Sequence, residues 1–413
     1  MEMHGFAERI RGREVLLASF VLAAASMLLV PPSGGYADYI DIRTLCILAC
    51  MMAVIAGMAD TGAFEKLASD LVRRSHGIRG TCAVLVALPF LMSMLITNDV
   101  SLLTFVPFGI VVLERTGNRR LMIPVIVLQT AAANLGSSLT PFGNPQNIFI
   151  SSFYGPDAID FLTVMAPIVA AGAAVLVLLA LRLEGEGSEA CVIDGREADA
   201  RYLALTVVLF AICVAAVLRA VPYQYAAAIV IAVIAATRPR VLLKVDWGLI
   251  LTFVFLFVFT GNMASLEVVR DALGGLMAGD AMLCPVIVSQ FVSNVPAAVM
   301  LSGFTDDWQS LLAGVSIGGF GTPIASMASV ISLEIYSRTE GSDRKGFLVC
   351  FTAVNALMLL VLVPLGIFLR QRRFFLASGL YALRYFRTAW SSSESVHSGV
   401  YPPFMYSLYH RTH

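Results

Sequence analysis

Apolar residues in this chain form unbroken runs. They fall at about 14–32, 40–60, 80–96, 99–113, 121–136, 148–155, 161–182, 201–219, 223–237, 246–261, 281–303, 309–336 and 346–369. Runs of about 15–25 residues match the helix length that crosses a ~30 Å hydrocarbon core. Their continuity excludes the alternating pattern of a β-barrel. The pattern therefore predicts an all-α polytopic membrane protein. Several runs are too short to cross alone. Residues 281–292 reach Ser293-Asn294-Val295-Pro296 after about 18 Å of helix at ~1.5 Å per residue. That predicts a re-entrant hairpin over about 281–303. The first half has its equivalent turn at Thr97-Asn98-Asp99, inside a hairpin at about 80–113. Its incoming limb is longer and contains Pro89, so a full crossing also fits there.

The sequence repeats itself weakly. LMSMLITNDVSLLTFVPF (91–108) parallels IVSQFVSNVPAAVMLSGF (287–304), and LGSSLTPFGNPQNIFISSFY (135–154) parallels IGGFGTPIASMASVISLEIY (317–336). Asn98 matches Asn294, and Thr140-Pro141 matches Thr322-Pro323. Each unit opens with an amphipathic stretch, Phe64–Arg74 or Leu266–Met277. Five crossings separate these stretches, an odd number, so the two units are expected to be inverted in the membrane. Each would combine a re-entrant hairpin with a broken transmembrane helix, at about 121–155 and 309–336. The expected division is an N-terminal half, 1–182, a cytoplasmic linker, 183–200, a C-terminal half, 201–373, and a tail, 374–413, without a clear span or assigned role.

Composition agrees with the pattern. The chain has 413 residues, 58% hydrophobic and 14% charged, against about 25% charged in soluble domains. Net charge is zero, which gives no case for a nucleic-acid partner. The basic clusters Arg9/Arg11/Arg13, Arg73/Arg74/Arg79, Arg115/Arg119/Arg120, Arg238/Arg240/Lys244 and Arg338/Arg344/Lys345 all fall on one side if nine helices cross and two hairpins re-enter. The positive-inside rule then puts the N-terminus in the cytoplasm of a multi-pass protein of the plasma or inner membrane. The acidic 183–200 linker and the basic Arg370/Arg372/Arg373 fit that orientation poorly. No cleavable leader is expected, because no A-x-A-like site follows the first run. Six of the seven cysteines lie in apolar runs and read as small packing residues.

Polar side chains in hydrocarbon are costly and mark function by default. They concentrate in four stretches: Thr97, Asn98, Asp99 and Ser101; Ser137, Ser138, Thr140, Gly143, Asn144, Gln146 and Asn147; Ser293 and Asn294; and Gly318 to Thr322 with Ser326 and Ser329. Pro and Gly break each helix and free backbone groups. Free carbonyls with Ser, Thr and Asn oxygens suit a hard cation such as Na⁺, with Asn98, Asn144 and Asn294 as candidate ligands. Half-helix N-termini suit an anion. The competing reading is helix capping and interhelical packing. Asp99 is a lone carboxylate between apolar limbs, so it needs a proton or a cation; it is either the coupling group or a helix N-cap. No Lys or Arg lies in the four stretches, so an anion would rely on helix ends, amides and a co-bound cation. Interrupted helices in repeated halves point to a secondary transporter with its site near the midplane. No H-E-x-x-H, Walker A or aspartate pair is present, so an enzyme or ATP-driven pump is not expected.

The stretches LITNDVSLLTFVPF, AAANLGSSLTPFGNPQNIFI and SQFVSNVPAAVMLSGF resemble the ion transporter superfamily, nearest to its citrate-permease-like branch. That branch includes divalent-anion/sodium symporters and the arsenite-pump membrane subunit. The resemblance spans about residues 38–370. It implies a scaffold plus a mobile transport domain moving as an elevator. It also implies Na⁺ and carboxylate binding by Ser-Asn-Thr-type hairpin tips, which here read Thr97-Asn98-Asp99 and Ser293-Asn294-Val295. Both depart at the third position, and Asp99 is closer to the arsenite and sodium/proton antiporter branches. The expected function is Na⁺- or H⁺-coupled transport of a small anionic solute such as a di- or tricarboxylate, with no cofactor besides the coupling ion. A proton-coupled arsenite exporter or Na⁺/H⁺ antiporter is the alternative. The site residues expected are Thr97, Asn98, Asp99, Ser137, Thr140, Gly143, Asn144, Asn147, Ser293, Asn294, Thr322 and Ser326. Lipid is the surrounding partner, and a homodimer is compatible with this reading.

Overall fold

A computed structural model of the chain describes residues 14–185 and 198–391. Every regular element among these residues is helical. Beside a one-turn helix at Tyr36–Tyr39 and short 3₁₀ turns, the first half has α1 (Glu14–Leu29), α2 (Ile42–Ala59), α3 (Ala63–Arg74), α4 (Gly77–Met92), α5 (Asn98–Arg115), α6 (Met122–Ser137), α7 (Pro145–Tyr154) and α8 (Ala158–Ala180). The second half has α9 (Ala200–Val217), α10 (Tyr223–Thr237), α11 (Trp247–Ser265), α12 (Glu267–Gly279), α13 (Leu283–Val292), α14 (Asn294–Ser302), α15 (Trp308–Gly318), α16 (Met327–Ser337) and α17 (Arg344–Ser391).

Five of these helices are long and apolar enough to cross a bilayer: α2, α8, α9, α11 and α17 over Arg344–Arg372. The sites of interruption explain the short ones. α6 and α7 are two halves of one run, parted by residues 138–144, and α15 and α16 are parted by 319–326. The limbs α13 and α14 have 10 and 9 residues, or about 15 Å and 14 Å of helix, too little for a crossing. The limbs α4 and α5 are longer, at 16 and 18 residues.

Residues up to Gly366 form one compact unit, and those from Ile367 a second. The sequence suggested no clear element after Arg373, yet the backbone is helical to Ser391. That segment has no proline and a single glycine, so local propensity favours helix even though its polarity hides the run. Residues 392–413 of the expected tail and 186–197 of the expected linker lie outside the described residues.

Caps set the helix starts. Asp41, Asp199, Asp246 and Asp307 each accept a backbone N–H three residues on, at 3.0–3.1 Å. Losing such a cap costs about 1 kcal/mol. Contacts between loops sort the ends of the helices into two faces. One face joins Arg79 to Glu184 (2.8 Å), Arg119 to Glu114 (2.9 Å) and to the Glu340 carbonyl (3.1 Å), Lys244 to Asp60, and Arg238 to Asp199. The opposite face joins Arg43 to the Ala216 carbonyl (2.8 Å), Arg219 to the Ser152 carbonyl (3.0 Å) and Tyr154 to the Thr305 carbonyl (2.8 Å). Among the described residues, the basic loops that carry Arg79, Arg119, Arg238 and Lys244 therefore share one face.

Buried polar side chains repair broken backbone. Pro89 lies inside α4 and has no N–H for the Leu85 carbonyl. Gln129 of α6, fully buried, donates from Nε2 to Leu85 O at 3.0 Å and to Phe105 O at 3.1 Å. One amide thus pins α6 to both limbs of the first hairpin. Gln129→Leu should cost about 2 kcal/mol, because it leaves a carbonyl unpaired in an apolar core. Thermal unfolding in detergent measures this, and an unchanged midpoint would show that another group takes over.

Candidate functional site

The two halves of the chain meet at their interruptions. α16, which follows the second break, packs against α5 and α6; α7, which follows the first, packs against α14 and α15. Each hairpin tip rests on the break of its own half. The backbone N–H of Asn98 donates to Gly143 O at 3.3 Å. The hydroxyl of Ser293 reaches Ala325 O at 3.5 Å. Gly143 and Ala325 occupy matching places in the two sequence segments, as do the tips.

The same pairing recurs at the TP dipeptides. Thr140 Oγ1 donates to Met94 O at 2.8 Å, and Thr322 Oγ1 donates to Gln290 O at 2.9 Å. Met94 and Gln290 each stand four residues before a tip asparagine. The glycines that admit the hairpins correspond as well. A Cβ on Gly136 would collide with the Phe90 carbonyl, and one on Gly318 would stand 2.7 Å from Ser289 Oγ. Gly136→Ala should therefore push α4 off α6, with a cost of about 1–3 kcal/mol. Detergent thermal unfolding reads it, and full tolerance would show that the hairpin shifts freely.

A hydrogen-bond network links the halves. Asn98 Nδ2 donates to Asn134 Oδ1 at 3.1 Å, and Ser326 Oγ donates to the same oxygen at 2.9 Å. Asn98 Oδ1 accepts the Asp99 N–H at 3.0 Å, which fixes its amide orientation and hence that of Asn134. Asn134 is only 4% exposed, and its Nδ2 has no partner. Neither Asn134 nor Asp246 is among the residues that the sequence marks as the site. An Asn inside the run AAANLG was the one available signal for Asn134.

The remaining expected residues divide by what their atoms do. Asn144 caps α7 by accepting the Asn147 N–H at 3.0 Å, and its Nδ2 donates to Ser137 Oγ at 3.2 Å. Asn147 donates to the carbonyls of Ser137 (3.2 Å), Ser138 (3.4 Å) and Thr140 (2.9 Å), so it ties down the loop that α6 leaves behind. Its Oδ1 is buried without a partner. The hydroxyls of Thr140 and Thr322 are committed to the hairpin carbonyls, and Thr322 is exposed. Gln290 completes the second pin by donating to Gly318 O and Phe320 O. Asn294 is buried with its amide over Gly319, where a Cβ would stand 2.9 Å from Nδ2. Thr97 is the buried N-cap position of α5, with no side-chain cap bond. Ser293 holds φ at +73°, unusual for a residue with a Cβ. Strain of that kind costs about 1–3 kcal/mol and collects at functional turns.

A cavity of about 430 Å³ opens beside these elements. Asp99 of the first tip, Ser293 and Pro296 of the second, Pro145 after the first break and Met327 after the second all line it. Asp246 at the start of α11 completes the ring. Asp99 Oδ1 is buried and accepts no hydrogen bond. Buried acceptors without donors are uncommon and call for a ligand, a water or a proton. The arrangement thus offers a carboxylate from each half, Asp99 and Asp246, and the hydroxyls of Thr252 and Ser293 around one small space, whereas Asn98, Asn144, Asn147 and Asn294 are not among its lining residues. Among the described residues, no group of three His, Cys, Asp or Glu side chains suits a transition metal.

A family model described as citrate transporter matches residues 10–307. An uncharacterized transporter of Methanocaldococcus jannaschii is 30% identical over 328 residues, 78% of this chain and 89% of that protein. The inner membrane protein YbiR of Escherichia coli is 32% identical over 306 residues, 72% of this chain and 80% of its own. Among solved structures, the Alcanivorax borkumensis YdaH transporter aligns with a TM-score of 0.48 at 14% identity, over 87% of this chain and 98% of its own.

Proposed function

Because this chain belongs to the citrate transporter family, and is therefore a membrane transporter of a small solute, we propose that it carries a small anion coupled to Na⁺ or H⁺. A di- or tricarboxylate or a similar oxyanion is the solute class. The observation that carries this reading is the convergence of both hairpin tips and the helix starts after both breaks on one cavity lined by Asp99, whose buried Oδ1 has no partner. Asp99 holds the coupling cation. Asn98, Asn144 and Asn294 are the further ligands considered for Na⁺, and the half-helices α7 and α16 turn their N-terminal ends toward the solute.

The two units are inverted repeats in this reading, and the recurring Thr–carbonyl pins support it. The hairpins and broken helices move together as the transport domain of an elevator, against a scaffold that includes α2, α9, α10 and α11. The basic face is cytoplasmic, in accord with the positive-inside bias, and puts the N-terminus inside. A homodimer would brace such a scaffold.

A second reading has its own support. The cavity wall bears two carboxylates and, among the described residues, no Lys, Arg or His. That favours a proton-coupled exporter of a neutral hydroxide such as arsenite, or a Na⁺/H⁺ antiporter. Uptake of labelled citrate, succinate, sulfate or arsenite into proteoliposomes, under an imposed Na⁺ or proton gradient, separates the readings. Accumulation of one of the anions under either gradient supports the first. Arsenite movement or Na⁺–proton exchange, with no anion uptake, transfers the assignment to the second.

A further inference from the structure

This inference deepens the transport reading and rests on it. Two carboxylates line the cavity from different parts of the fold. Asp99 lies in the first turn of α5, at the first hairpin tip, with Oδ1 buried and unpartnered. Asp246 caps α11, accepting the Leu249 N–H at 3.0 Å, and is exposed. Next to it Trp247, 53% exposed, also lines the cavity. Most of the remaining wall is apolar, with Ser293 and Thr252 adding hydroxyls. Among the described lining residues there is no cationic side chain.

A cleft of one charge sign between low-dielectric walls focuses its field and concentrates counter-ions about tenfold or more. An aromatic face beside it attracts a partly dehydrated cation. We propose that this cavity is a cation vestibule: Asp246 gathers the coupling cation at the mouth, and Asp99, with Ser293, receives it at the floor. Asp246 stands two residues after the 3₁₀ helix Pro239–Lys244, whose Lys244 pairs with Asp60 on the basic face. The vestibule therefore serves that face alone.

The test uses the full-length protein in membrane vesicles of both orientations. Asp246→Asn and Asp246→Ser remove the charge while keeping an N-cap side chain. Both should raise the half-saturating concentration of the coupling cation about tenfold when it is applied from the face that bears Lys244. From the opposite face that concentration should not move. The rise should shrink at high ionic strength. No rise, or an equal rise from both faces, overturns the proposal. A second measurement needs no transport. With Trp308→Phe and Trp390→Phe, Trp247 is the remaining tryptophan of the three. Its fluorescence should be quenched more by Cs⁺ than by iodide, and Asp246→Asn should reverse that ratio. Stronger quenching by iodide in the Asp246 protein overturns the proposal. Absence of anion uptake, with the Cs⁺ preference intact, counts against the transport reading and leaves the vestibule standing.

Discussion

Asp99→Asn removes cation-driven transport, by roughly a hundredfold or more, while the protein still folds and inserts. The size follows from losing a desolvated charge partner, which is worth about 2–5 kcal/mol, with each ~1.4 kcal/mol a factor of ten. The fold is spared because the substitution is isosteric and the Asp99 side chain has no ion-pair partner among the described residues. Its backbone N–H keeps the bond to Asn98 Oδ1. The measurement is the initial rate of uptake under a Na⁺ or proton gradient, normalised to folded protein by size-exclusion chromatography. Gradient-driven uptake at the native rate would reduce Asp99 to an N-terminal residue of α5.

Asn134→Ala has the second largest effect: loss of transport by about tenfold to a hundredfold with moderate destabilisation. Asn134 Oδ1 takes hydrogen bonds from both halves, from Asn98 and from Ser326, beside the cavity wall. Truncation leaves the Asn98 amide and the Ser326 hydroxyl unpaired in a buried place, at about 1–3 kcal/mol each. The residues next to those two, Asp99 and Met327, line the cavity, so the lost bonds loosen its wall. Asn134 is a positioning residue, and a cycle separates that role from plain stability. Asn98→Ala and Ser326→Ala should be non-additive in the half-saturating cation concentration when Asn134 is present, and additive when it is Ala. Additivity in both backgrounds would show that the shared oxygen couples nothing.

Much of this architecture is visible in the sequence, for identifiable reasons. Helix length is set by unbroken apolar runs, and interruption by Pro, Gly and Asn, so the hairpin at Ser293-Asn294 and the break at Thr322-Pro323 show without coordinates. The matched order of Asn, Gly, Thr and Pro also leads to the Thr140–Met94 and Thr322–Gln290 pins, once the segments are superposed. What stays hidden depends on crossing geometry. Asn134 reads as one polar residue in an alanine run, and its partner Ser326 is far away in sequence. Asp246 follows three basic residues in a loop and reads as a solvated acid; only the packing of α11 beside the hairpin tips brings it to the cavity. Asp99 reads as a lone carboxylate because the hydrophobic context along one helix cannot register a neighbour from another. Thr322 shows the converse. The motif marks it as a ligand candidate, whereas its hydroxyl is held by the Gln290 carbonyl and its residue is exposed.

The most direct test of the central claim, that cation and anion move through one coupled site, is cation flux induced by the solute. Proteoliposomes are equilibrated with labelled Na⁺ and a pH-sensitive dye, with no cation gradient, and citrate, succinate or sulfate is added outside. The account predicts that one of these anions drives Na⁺ or protons inward in fixed proportion to its own uptake, and that Asp99→Asn abolishes the cation movement. Anion uptake with no accompanying Na⁺ or proton, or cation movement that proceeds equally without any anion, would contradict it.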